Sequence, residues 1–215
     1  MKLLITCGPA HEPIDQARRI TNFSTGRLGT ALCNTFTARG ARVHCFRGEG
    51  ATWPEMPQAE RLETFTTNED LADRLQALSH TESFDAIFHA AALCDFRVES
   101  VLDPSGQEIA SRKISTRQGN IHLELAPAIK VLPRLREWFP TAFIVGWKYE
   151  LEGDQTTAFE RAWVQIRECR SDACVLNGSA YGPGFALCRN GASTHCPDPA
   201  ALANAMAAAI AVCRA

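Results

Sequence analysis

The chain has 215 residues, 46% of them hydrophobic and 21% charged, with a formal net charge of -2 from 22 basic and 24 acidic residues that are well mixed along it. That composition argues for a folded domain and against a disordered chain, and the even charge excludes a broad electrostatic surface for nucleic acid or an anionic membrane. The apolar run in MKLLITCGP is too short for a secretory segment, and nothing approaches the roughly 18 apolar residues of a membrane span, so a cytoplasmic location is expected.

Four apolar segments, KLLITC (2–7), ARVHCF (41–46), RLETFT (61–66) and DAIFHAA (85–91), read as strands and alternate with helical patterns, the signature of βαβ units around a parallel sheet. Leu28, Leu32 and Phe36 share one face of a helix predicted to stop at Arg39-Gly40. A second helix carries Leu71, Leu75 and Leu78, with Asn68 as its predicted N-cap and Glu69 and Asp70 in its first turn. IASRKIST and NIHLEL flank a polar Arg-Gln-Gly-Asn turn and are expected to form a hairpin or flap. A helix over 128–139 then leads into AFIVGWKY (142–149), and one carrying Phe159, Trp163 and Ile166 leads into DACVL (172–176). FALCR and ASTHC about Asn190-Gly191 make a second hairpin, and Leu202, Met206, Ile210 and Cys213 form the stripe of a closing helix. The expected fold class is α/β: a single doubly wound, mostly parallel Rossmann-like sheet over 1–215, with antiparallel additions and a flap at about 97–125.

The nine cysteines are odd in number, contain no CxxC and sit mostly in apolar runs such as VHCF and DACVL, as buried reduced thiols do. A zinc site from Cys188, His195 and Cys196 is disfavoured, because adjacent residues on a strand point to opposite faces; no resident metal is expected.

In a doubly wound sheet the loop after the first strand usually holds phosphate. Here it is TCGPAHEPIDQARRITNFSTGRLGTAL (6–32). Ser24, Thr25 and Gly26 would line the positive N-terminal end of the following helix, and Gly29 would let helix and sheet approach closely. The stretch lacks both the G-x-G-x-x-G fingerprint and the Walker sequence. Arg47, where an NAD enzyme would carry an acid, suits a phosphate, as in NADP or a nucleotide triphosphate.

The same stretch resembles the opening of the phosphopantothenate-cysteine ligase family, whose pattern is close to G-P-T-x-E-P-(I/L)-D-x-V-R-x-I-(S/T)-N-x-S-(S/T)-G-x-M-G. AALCDFRV is similar to the family's A-A-V-(A/S)-D-(F/Y)-R, with weaker echoes in IVGWKYE and DACVLN. The resemblance implies a ligase of coenzyme A biosynthesis that activates the carboxylate of 4′-phosphopantothenate as an acyl-nucleotidylate, using CTP or ATP with Mg2+, and then joins it to cysteine. It implies a homodimer and possibly a flavin decarboxylase partner. By position, Gly8, Ser24, Thr25, Gly26 and Gly29 would form the phosphate cradle, Asn22 would stand at the mixed anhydride, and Ala92, Asp95 and Phe96 would lie by the base. Lys113 would be the flap lysine, farther from Asp95 than in the family, with the extra residues in VESVLDPSGQE.

The chain also departs from the family. The flap K-x-K-K becomes Lys113-Ile114-Ser115-Thr116, N-P-D-I becomes Ala126-Pro127-Ala128-Ile129, and two lysines of the helix before DACVLN become Gln165 and Cys169, with Arg167 and Arg170 nearby. These losses keep open a non-catalytic relative that binds nucleotide or phosphate. An NADP-dependent reductase is the more distant alternative, since neither Tyr149 nor Tyr181 has a lysine four positions on.

Overall fold

A computed structural model describes residues 1–110 and 112–214. In chain order the elements are β1 (Lys2–Cys7), β2 (His11–Pro13), β3 (Arg19–Thr21), α1 (Arg27–Ala38), β4 (Arg42–Gly48), β5 (Arg61–Phe65), α2 (Asn68–Ser79), β6 (Ala86–His89) and β7 (Phe96–Leu102). They continue as β8 (His122–Pro127), α3 (Leu132–Trp138), β9 (Phe143–Tyr149), α4 (Gln155–Cys169), β10 (Ala173–Gly178), β11 (Gly182–Arg189), β12 (Ala192–Cys196) and α5 (Pro199–Arg214). Eight strands form one sheet in the order β12-β11-β10-β9-β6-β1-β4-β5. Its six strands from β10 to β5 are parallel, and β11 and β12 add an antiparallel edge. Because the chain runs outward from β1 first through β4 and then through β6, the strand order reverses at β1. The crevice beyond the carboxyl ends of β1 and β6 is therefore the expected ligand position.

The apolar periodicities bury as expected. Leu32 and Phe36 of α1 and Leu202, Met206 and Ile210 of α5 cover one face of the sheet, and Leu71 and Leu75 of α2 with Leu135 of α3 cover the other. Each such fully buried side chain contributes about 1.5–3 kcal/mol of apolar transfer. Cys213, placed on the same stripe by sequence, is exposed.

Three readings need correction. Thr67, not Asn68, caps α2, its hydroxyl accepting from Asp70 N at 3.1 Å; Asn68 is turned inward and fully buried. The helix expected from residue 128 begins at Leu132, with proline in its first turn, and the preceding backbone is engaged elsewhere, Ile129 O accepting from Asn68 at 3.1 Å. The partner of the NIHLEL strand is not IASRKIST but β7, paired from Phe96↔Pro127 to Leu102↔His122. A bulge between Val98 and Ser100 breaks the two-residue alternation by which β7 would be recognised. Part of the IASRKIST reading, Ser111, lies outside the described residues, and the remainder forms no strand.

Candidate active site

Gly8 and Gly26 both adopt φ of 79°, a conformation that L side chains rarely take. A Cβ on Gly8 would come within 2.9 Å of the Ala51 Cβ, and one on Gly26 within 3.1 Å of the same atom. Gly29 serves close approach, since its Cβ would stand 2.1 Å from that of Cys7. The first turn of α1 thus sits against the end of β1 and opens on a cleft of about 380 Å³ lined by Gly8, residues 24–29, Ala90, Asn177, Phe185 and Pro199. Helix-end N–H groups without intrahelical partners and a positive dipole end give this cleft the chemistry to cradle an anion. All five expected cradle residues line it.

Burial pushes His89 down to about 4, and Thr6 Oγ1 lies 2.8 Å from its Nδ1. The Cys7 thiol, 3.8 Å from that of Cys45, is pushed up by that contact and then by burial.

The long loop between Gly8 and Gly26 is built rather than slack. Its antiparallel hairpin, β2 with β3, was not legible in sequence. Thr21 Oγ1 donates to Ala10 O at 2.7 Å, Ala10 N to Ala92 O at 3.1 Å and Ala92 N to Gly8 O at 2.9 Å. The exposed Asn22 amide donates to Leu93 O at 2.8 Å. The loop and the segment 92–96 are therefore stitched into one wall beside the cradle. Within that segment Asp95 is exposed and paired with Lys130, and its carbonyl accepts from Ala128 N at 3.0 Å. Phe96 is 53% exposed. Asn68, which sequence reasoning read only as a cap, anchors the wall from below through both polar groups of Cys94.

Lys113 does not line the cradle cleft. It lies on a second pocket, about 490 Å³, with Ala17, Arg18 and the rest of the segment 114–116. The tip of the long loop ties this flap segment down. Asp15, whose side chain is 0% exposed, accepts from Ile114 N at 3.1 Å and pairs with Arg18, which donates to Ile114 O at 2.6 Å. Arg18 first, and then the Ile114 N–H, hold the Asp15 carboxyl well below the usual carboxylate range.

The positions departing from the family pattern offer no cations. Gln165 is packed inward, its amide 3.4 Å from Cys174 Sγ, and burial raises the half-buried Cys169 thiol. Arg170, at φ 52°, pairs with Glu137. Arg47, whose place at a strand end suits either a phosphate or plain solvent, is only 7% exposed and donates to Trp53 O at 2.6 Å. It braces the loop after β4 and leaves the NADP reading without its main support. His195 stands 2.7 Å from the Tyr181 hydroxyl, and among the described residues no group of three His, Cys, Asp or Glu could hold a metal. No helix among the described residues is long and apolar enough to cross a membrane.

Known proteins are similar to this chain in sequence or in fold. The coenzyme A biosynthesis bifunctional protein CoaBC of Thermococcus kodakarensis is 31% identical over 82% of this chain and 41% of its own length. The chain thus spans about two fifths of that curated relative. Among solved structures, the DNA/pantothenate metabolism flavoprotein from Streptococcus pneumoniae superposes with a TM-score of 0.87 at 21% identity, covering 99% of both chains. A Cab2 variant in complex with phosphopantothenate-cysteine superposes at 0.74 with 17% identity, over 99% of this chain and 86% of that one. These last two likenesses carry the fold alone. Residues 1–206 match the family described as the DNA/pantothenate metabolism flavoprotein C-terminal domain, and the chain belongs to that family.

Proposed function

We propose that residues 1–215 act as one ligase domain of coenzyme A biosynthesis, joining 4′-phosphopantothenate to cysteine through an acyl-nucleotidylate. The observation that carries this reading is the stitched wall, in which the Asn22 amide reaches Leu93 O beside a glycine-lined anion cradle. The cradle would take the phosphate chain of CTP or ATP, and magnesium would arrive with the nucleotide, a cation that commonly binds through substrate phosphates. Ala92, Asp95 and Phe96 would flank the base. Asn22 would stand by the reacting carbonyl as a donor to developing negative charge, and Lys113 would approach on the flap. In support, the CoaBC relative is named for coenzyme A biosynthesis, and the Cab2 variant of the same fold was solved with phosphopantothenate-cysteine, the product this reaction would form.

A homodimer belongs to this proposal. The β7–β8 ribbon stands outside the main sheet and exposes Phe96, Leu123 and Leu125, apolar surface that a second copy would cover. A separate flavin decarboxylase is the further partner proposed, in a cytoplasmic setting. The absence of cations at Ser115, Thr116, Gln165 and Cys169 favours, as the second reading, a relative that binds nucleotide without turnover. The deciding assay follows pyrophosphate release with CTP or ATP and magnesium. Release that requires phosphopantothenate supports the ligase, and nucleotide binding without release supports the second reading.

A further inference from the structure

The cradle cleft has one charged residue in its lining, Arg27 at the first position of α1. Its guanidinium carbon lies 4.9 Å from the centre of the Trp53 ring, and among the described residues no carboxylate pairs with it. The ring is not an incidental neighbour. Trp53 N donates to Thr25 O at 2.9 Å, joining it to the cradle backbone, while the buried Arg47 grips Trp53 O at 2.6 Å and Ala51 O at 3.4 Å. Ala51 in turn fills the space that side chains on Gly8 and Gly26 would need. One loop therefore shapes the cradle floor and seats the cation at its rim.

We infer that Arg27, seated on Trp53, is the cation that meets the ligand's phosphate chain at the cradle. The inference rests on the reading that a nucleotide polyphosphate occupies this cleft. A guanidinium lying over an aromatic face is attracted by the ring while its N–H edge stays available to oxyanions, and a seated side chain loses less freedom on binding. The chain thereby supplies from α1 a charge that Gln165 and Cys169 do not offer from α4. Arg47, the arginine that the sequence brings to mind, acts one step back, by fixing the loop that carries Trp53.

The test is calorimetric titration of the full chain with magnesium CTP, magnesium ATP, inorganic pyrophosphate and 4′-phosphopantothenate in separate arms. Arg27→Gln should weaken the polyphosphate ligands about ten- to a hundredfold, the range of a lost charge-assisted contact, with the melting temperature of the free protein unchanged. Trp53→Leu should weaken them about two- to fivefold, the range of an exposed cation–π contact. The double variant should bind no more weakly than Arg27→Gln alone. If wild type binds polyphosphate and Arg27→Gln binds it equally well, this inference fails while the proposed function stands. It fails likewise if the two substitutions add independently, or if only the phosphopantothenate arm responds. No polyphosphate binding by wild type overturns both readings.

Discussion

Asn68 Nδ2 donates to Cys94 O at 2.8 Å while its Oδ1 accepts from Cys94 N at 3.0 Å, so the side chain closes on both backbone groups of one residue twenty-six positions away. The same amide reaches Ile129 O at 3.1 Å, and Asn68 is fully buried. One side chain thus fixes the wall residues beside Asp95 to the start of α2. Asn68→Ala would leave these three backbone groups without a partner in an interior where each orphan costs about 1–3 kcal/mol. The expected loss of stability is about 3 kcal/mol by urea denaturation, with kcat/KM falling at temperatures where the variant is still folded. An unchanged denaturation midpoint would show that water replaces the amide and that the wall does not depend on it.

Asn22 makes the opposite case, because it is exposed and its one bond to Leu93 O lies at the surface. Asn22→Ala should leave the melting temperature within error of wild type. Its effect belongs in catalysis. Removing a positioned donor to developing oxyanion charge costs about a hundred- to a thousandfold in kcat, and Asn22→Asp, which sets an acceptor against an acceptor, should be as severe. Single-turnover formation of the acyl-nucleotide, against its later reaction with cysteine, identifies the step that suffers. A variant with full activity in both steps would remove Asn22 from the site.

The difference between these two asparagines shows how far sequence reaches. The mostly parallel sheet and the helices over Leu32, Phe36, Leu71 and Leu75 were legible because apolar period is a local signal, and the turns at Gly8 and Gly26 because positive φ calls for glycine, whereas the order of the strands is set by contacts between distant segments. Asn68 was legible only as a polar residue before a helix, since its partners Cys94 and Ile129 come from distant segments. Strand β7 was hidden by its bulge, and the short β2–β3 hairpin by length, each of its strands being three residues long. Arg47 misled for a physical reason: a strand-end arginine has the same spelling whether it faces a phosphate or, as here, the carbonyls of Ala51 and Trp53.

Gly29 and Gly40 bracket the two ways a glycine can be needed. A Cβ on Gly29 would sit 2.1 Å from the Cys7 Cβ, so Gly29→Ala must push α1 off the sheet. At Gly40 nothing lies within 4 Å and only its φ of 78° resists a side chain. The expected cost is about 1–2 kcal/mol for Gly40→Ala and about 3 kcal/mol or more for Gly29→Ala, at the upper end of overpacking penalties. Chemical denaturation ranks them. Because Gly29 sets the first turn of α1 against the cradle, its variant should also bind nucleotide more weakly, whereas Gly40→Ala should not. Equal stability losses would indicate that Cys7 and its strand yield easily.

The last prediction concerns pH and His89, whose only charge-relevant influence is burial, which lowers it to about 4. In the unfolded chain the same imidazole takes up its proton near about 6.5. Between those values the unfolded state binds more protons than the folded one, so the contribution to stability is fully present above the unfolded value. It is lost as pH falls toward the folded value. At pH 4.5, two units into that window, the loss from this group amounts to about 2.5 kcal/mol. His89→Gln keeps a polar partner for Thr6 Oγ1 but cannot titrate, so it should lose less stability than wild type between pH 7 and 4.5, by about that amount. Carboxylates such as Asp15 and Asp70, whose folded values are lowered, also lose stabilisation as pH falls through their own range, but they do so in both proteins. The difference between the two urea-denaturation series therefore isolates His89. Parallel pH dependences would mean that the folded protein accommodates the imidazolium, and that the end of β6, next to Ala90 of the cleft lining, carries a positive charge in mild acid.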